Sequence, residues 1–247
     1  MGEPKLQKIY TDNLVLFPTA KPQKPARRKR PTATPFKSDG RPKANAADPI
    51  RNPADITAIQ EYFLERGNTR DYTLFSLGIS FGLRAGDLLK LRLCDLYKPD
   101  GSPASDIELY EHKTGKKNRI HINSRCREIL LDYISQQQED HDVFDDDPVF
   151  ASREHDQYGE LKPISLSLLS KNLKAAARAC GVEGHISSHS LRKTFVYQSI
   201  QANKGDWDAL FAIQHMLNHS SFKTTLRYCG ADKDKEDDIR ESIAGLI

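Results

Sequence analysis

The chain has 247 residues, with 37 Lys and Arg against 34 Asp and Glu, a formal charge of +3, and 38% hydrophobic residues. That length suits one well-buried domain with an appendage, and a mean hydropathy of −0.63 with no bilayer-length apolar run excludes a helical membrane protein. MGEPKLQKIY lacks a signal-peptide layout, and Cys94, Cys126, Cys180 and Cys229 form no C-x-x-C pair, so a cytoplasmic protein with reduced thiols is expected.

Residues 1–50 carry 11 Lys and Arg against 4 Asp and Glu, and hold 8 of the 13 prolines. Such a segment cannot bury enough apolar surface to offset its ordering entropy. It is expected to be a basic, largely extended or disordered arm, disordered from about residue 17. Arg27, Arg28, Lys29 and Arg30 in KPQKPARRKRP are candidate phosphate contacts, alongside the plainer role of a solubilising tether.

From Asn52 the apolar spacing turns helical. PADITAIQEYFLERG predicts one helix, TRDYTLFSLGISFGL a second that is apolar enough to be central, and the run from Arg84 through DLLKLRL a third. DIELYEHK and NRIHIN alternate every second residue across TGKK, the pattern of a hairpin. CREILLDYISQQQ and SLSLLSKNLKAAARACG read as helices, with residues 148–163 an irregular connector between them. Further helices are expected near 188–203, 206–217, 220–228 and 234–246. The fold class is mostly α (α+β), helical with a small antiparallel sheet.

Several residues on this frame suit chemistry on a phosphodiester. A tyrosine phenolate is a competent nucleophile when the charge developing on phosphorus oxygens is neutralised, and arginine forks match two such oxygens. Arg84 sits in FGLRAGD, where its plain role is an ion pair with Asp87 three residues on. His189 and Arg192 open a helix in SSHSLRKTF, where Ser187 or Ser188 would cap free amides, and a helix start also favours phosphate. His215 and His219 stand four apart, but the glutamate of H-E-x-x-H is missing and no third ligand is evident, so no metal is expected. Tyr228 follows His219 by nine residues.

FGLRAGDLLKLRLCDL, EHKTGKKNRIHI, SSHSLRKTF and LNHSSFKTTLRY resemble, in order and spacing, the successive motifs of the tyrosine recombinases, the phage-integrase family. The resemblance covers roughly residues 52–230 and implies a catalytic domain over 51–230. It makes Tyr228 the nucleophile, Arg84 and Arg192 the paired catalytic arginines, and Asp87 the acid that orients the site. His189 and His219 become proton-transfer or positioning groups. Lys113 becomes the lysine that protonates the leaving 5′-oxygen from a hairpin turn, with Lys116, Lys117 and Arg119 as phosphate contacts. The implied activity is DNA cleavage and rejoining through a 3′-phosphotyrosyl link, without metal or cofactor.

The implied partners are double-stranded DNA, three further copies of the chain in a homotetramer on DNA, and an accessory DNA-bending protein, in a nucleoid-associated setting. Residues 231–247 would form a helical tail exchanged between protomers, against the plainer reading of a terminal helix packed on its own core. Two departures stand out: Lys193 where many relatives have histidine, and LNH where they often read LGH, which puts Asn218 at a helix end. Residues 1–50 are too short for the helical DNA-clamping domain that most members carry, so either a catalytic-domain-only recombinase or a fragment is expected. Two other functions compete: a relaxing enzyme of the topoisomerase type, and an architectural or regulatory DNA-binding protein with a vestigial site.

Overall fold

The computed structural model describes residues 47–98, 101–140, 143–218 and residue 225, all within the compact unit that begins at Ala47. The helices expected at 220–228 and 234–246 lie outside the described residues, apart from Thr225, which is helical and buried. Arg27, Arg28, Lys29, Arg30, His219 and Tyr228 lie outside them as well.

Helix α1 (Pro53–Leu64) starts where the Asn52 side chain accepts the Ala54 amide, with proline at the first helical position, where no N–H is needed. Helix α2 (Thr69–Phe81) begins at Asn68, whose side chain accepts the Asp71 amide. It is the central rod, packed against α1, against α4 (Ser124–Asp140) and against α6 (Ser188–Ala202). Leu74, Phe75 and Leu77 are fully buried along it. Its one buried carboxylate, Asp71, receives Asn68 Nδ2 at 2.8 Å and Asn172 Nδ2 at 2.6 Å, so the charge is hydrogen-bonded rather than stranded. Asn172 belongs to α5 (Leu166–Ala179), which that bond draws onto α2.

Two contacts fix how closely α2 and α6 approach. At Gly78 a β-carbon would stand 2.7 Å from Leu191 Cδ1 and 3.3 Å from its Cβ. At Gly82, the left-handed C-cap of α2 (φ +61°), it would stand 2.3 Å from the Phe195 ring. Helix α7 (Trp207–Met216) is held to α6 by a small apolar cluster of Val196, Ile213 and Leu217.

The antiparallel hairpin of β1 (Asp106–Tyr110) and β2 (Lys117–His121) forms where the alternation predicts it, pairing Asp106 with His121 and Tyr110 with Lys117. Three other expectations are corrected. The third helix, α3, is only Ala85–Leu88. Beyond it the chain turns at Leu89 and Lys90, makes a bridge at Arg92 and closes as a 3-10 helix over Leu93–Leu96, with Leu91, Leu93 and Leu96 buried. The connector at 148–163 contains a second hairpin, β3 (Ala151–His155) with β4 (Leu161–Pro163). Its strands are mostly exposed on both faces, so no apolar alternation marks them. The signal was in the turn, where Asp156 Oδ1 accepts the amides of Tyr158 at 2.7 Å and Glu160 at 3.0 Å.

Finally, residues 47–50, assigned above to the arm, are packed onto α6. The Lys193 ammonium donates to the Ala47 carbonyl at 2.6 Å, the Ile50 amide to Thr194 Oγ1 at 2.9 Å, and Ile50 is 1% exposed. Among the described residues no helix is long and apolar enough to cross a membrane.

Gly82→Ala should lower stability by about 2–4 kcal/mol, combining the left-handed penalty with overpacking against Phe195. Urea unfolding measures it; a midpoint matching the parent protein would show that the α2–α6 contact is looser than described.

Candidate active site

The short α3 exists to aim one residue. Arg84 is its N-cap, with extended backbone (φ −65°, ψ 138°) directly after the left-handed Gly82 turn. This throws the Arg84 side chain off the end of α2, where it is 22% exposed. The ion pair predicted with Asp87 is long, at 4.0 Å. The close partner is Glu111, whose Oε2 lies 2.5 Å from Arg84 Nη1. Asp87 instead accepts the His112 amide at 3.0 Å through Oδ1, which anchors the β1–β2 turn to α3.

Glu111 is buried and was missed in the sequence, where it is one more acidic residue after a strand. Besides Arg84 it accepts the Thr114 hydroxyl at 2.6 Å and Asn118 Nδ2 at 3.4 Å, and Asn218 also donates to it. Burial pushes its carboxyl upward, but the bonds from Thr114, Arg84 and Asn218 outweigh that and hold it below the usual carboxylate range. A three-residue E-x-x-T spacing across a turn was the available signal.

Arg192, at the start of the second turn of α6, is 3% exposed. Its Nη1 donates to the Gly82 carbonyl at 2.8 Å and its Nη2 to the Leu217 carbonyl at 2.7 Å. Those carbonyls belong to the C-caps of α2 and α7, where helix dipoles leave partial negative charge. The buried guanidinium is therefore solvated by two helix ends. One of them lies two residues before Arg84, the other two residues before His219. Asn218, directly after Leu217, adopts φ +52°, a conformation that asparagine tolerates better than most residues, so this departure from glycine fits the local backbone.

His189 stands in the first turn of α6 and is exposed. Ser190, buried in the same turn, accepts the Ser187 amide at 3.0 Å, so Ser187 is the capping position. Burial, then the charges of Lys113, Lys193 and Arg192, lower the His189 pKa below the ordinary histidine value. The Lys113 charge thus reaches His189, although Lys113 itself is exposed in the hairpin turn. Lys193 is engaged with Ala47, as described above. Its pKa is lowered by burial.

Lys116, Lys117 and Arg119 are exposed along the hairpin. Lys117 pairs with Glu108 at 2.7 Å and Arg119 with Asp106 at 2.9 Å. These solvent-screened pairs are easily exchanged for a phosphate. His215 is exposed at the end of α7. Among the described residues no three His, Cys, Asp or Glu side chains are grouped as metal ligands would be. Arg84, Asp87, Lys113, His189 and Arg192 thus gather around the ends of α2, α6 and α7 and one hairpin turn.

The sequence model of the phage integrase family matches residues 52–235, three quarters of the chain. The chain belongs to that family. The relatives specify the class further: it is a tyrosine-type, site-specific recombinase. A probable integrase/recombinase of Bacillus subtilis (strain 168), YoeC, is 35% identical over 198 residues, covering 80% of this chain and 97% of that protein. The crystal structure of XerA recombinase superimposes with a TM-score of 0.59 at 20% identity, covering 81% of this chain and 66% of that one. A lambda integrase tetramer bound to a Holliday junction gives a TM-score of 0.55 at 17% identity, covering 76% and 49%. The chain therefore spans nearly all of the first protein but two thirds or less of the two solved chains.

The depressed folded pKa favours the neutral imidazole of His189. Its contribution to stability is complete above its unfolded pKa and is lost as pH falls through the lower folded value. Lys113→Ala should raise the His189 pKa toward the ordinary value by removing one of the opposing charges, as followed through its imidazole NMR resonance. An unchanged titration would separate Lys113 from the site.

Proposed function

We propose that this recombinase breaks and rejoins double-stranded DNA with Tyr228 as nucleophile, and that Arg84, Lys113, His189, Arg192 and His219 serve that tyrosine. The carrying observation is the hydrogen-bonded net in which Arg192 spans the carbonyls of Gly82 and Leu217 while Glu111 joins Arg84 to the hairpin turn and Asn218. It supports a common centre, because its bonds join residues 25 to 110 positions apart in sequence, and its last link stops one residue short of His219.

The phenolic oxygen of Tyr228 attacks phosphorus, and the bond to the 5′-oxygen breaks. The two arginines stabilise the charge on the non-bridging oxygens, as forks held in place before the reaction begins. The neutral imidazole of His189 takes up the phenolic proton, and Lys113 delivers one to the departing 5′-oxygen. The product is a 3′-phosphotyrosyl ester with a free 5′-hydroxyl. A 5′-hydroxyl from a partner strand reverses the step, so the bond energy is conserved and no nucleotide cofactor is consumed. Asp87 holds the turn that carries Lys113.

Lys116, Lys117, Arg119 and the arm residues Arg27, Arg28, Lys29 and Arg30 supply backbone contacts, which makes binding strongly salt-dependent. Exchange of two strand pairs needs four active copies, and the lambda integrase tetramer on a Holliday junction supports a tetramer on DNA. The tail 231–247 would link neighbouring copies. An accessory DNA-bending protein would bring the sites together on the nucleoid in the cytoplasm.

Tyr228→Phe should give no covalent adduct with a nicked suicide duplex while binding it within about twofold, since only one hydroxyl is removed from an interface dominated by phosphate contacts. Arg192→Lys should slow adduct formation by on the order of 10²–10³, because a point charge cannot replace a fixed fork. Denaturing gels of the trapped adduct read both. Adduct formation by the phenylalanine variant at the parent rate would refute the assignment.

A further inference from the structure

We infer that Glu111 is the residue that positions Arg84 for the reaction, a role that rests on the function proposed above. Glu111 is 1% exposed, yet it lies against an arginine that reaches the surface. A buried carboxylate is costly unless its oxygens are filled, and here the donors come from four separate places: Arg84 at the start of α3, Thr114 in the hairpin turn, Asn118 on β2, and Asn218 after α7.

The neighbouring acid does not do this work. Asp87 Oδ2 is 4.0 Å from Arg84, and Oδ1 is occupied by the His112 amide. Glu111 holds a single terminal nitrogen of Arg84. The remaining N–H groups of the guanidinium are left to address a non-bridging phosphate oxygen. The same carboxylate takes the hydroxyl of Thr114, which follows Lys113, and the side chain of Asn218, which precedes His219. One group therefore sets the register of the guanidinium against the turn and the helix end that flank it. A fixed donor contributes most where charge develops, and an ångström of misplacement is expensive there.

The test compares cleavage of a suicide duplex carrying an ordinary scissile phosphate with one carrying a methylphosphonate, which has no negative charge to neutralise. Glu111→Gln keeps the shape and removes the charge. On phosphate it should form adduct on the order of 10²-fold more slowly than the parent, with DNA affinity within about threefold. On methylphosphonate the deficit should shrink at least tenfold, as it should for Arg84→Ala. Adding Glu111→Gln to Arg84→Ala should cost little more, because the pair acts as a unit.

A deficit equal on both substrates would reduce Glu111 to a structural role and overturn the inference. Parent-like cleavage of phosphate by Glu111→Gln, with Arg84→Ala inactive, would overturn it equally. Parent-like activity of Arg84→Ala would instead refute the function proposed for the site. If Glu111→Gln melts at the assay temperature, Glu111→Asp, which keeps the charge one methylene short, must show the same substrate-dependent narrowing or the inference fails.

Discussion

A guanidinium buried to 3% exposure organises this molecule. Arg192 cannot lose its proton, so the protein around it must supply negative potential. Two helix C-termini do so, with carbonyls that have no partner of their own within the helix. Satisfying one side chain therefore obliges α2, α6 and α7 to end or begin at the same place. Losing either carbonyl would weaken the solvation of a buried charge, so the geometry of the helix ends is constrained along with the apolar contacts. The site inherits that constraint. Arg84 and Arg192 sit on segments whose directions are tied to where the Gly82 and Leu217 carbonyls point.

Most of the architecture was legible from periodicity. α1, α2, α5, α6 and α7 appear where apolar spacing and caps put them, and the β1–β2 hairpin where alternation and TGKK put it. The failures have different causes. From Leu88 to Leu96 leucines occur at spacings that satisfy both helical and extended periods. The choice was made by α3 ending at Leu89 and by the chain pairing through Arg92 with Pro148. The β3–β4 hairpin carries almost no apolar side chains, so its only mark was an aspartate turn.

The candidate site divides in the same way. Arg84, His189 and Arg192 stand out because their local motifs are distinctive. Glu111 does not, because its meaning arises only when Thr114, Asn118 and Asn218 are brought beside it. Its four donors lie at sequence separations that range from 3 to 107 residues, and no linear pattern links them. The same is true of Lys193: as a letter it is a departure from relatives, and in the fold it is the anchor for the chain arriving at Ala47.

At Gly78 two helix backbones come so near that Leu191 occupies the volume where a methyl group would otherwise stand. The gap between α2, whose C-cap lies two residues before Arg84, and α6, which bears Arg192, is therefore gauged by the width of a hydrogen atom. A lineage that enlarges position 78 has to shrink position 191 or lose the spacing. Two buried positions are thereby bound to evolve as a couple.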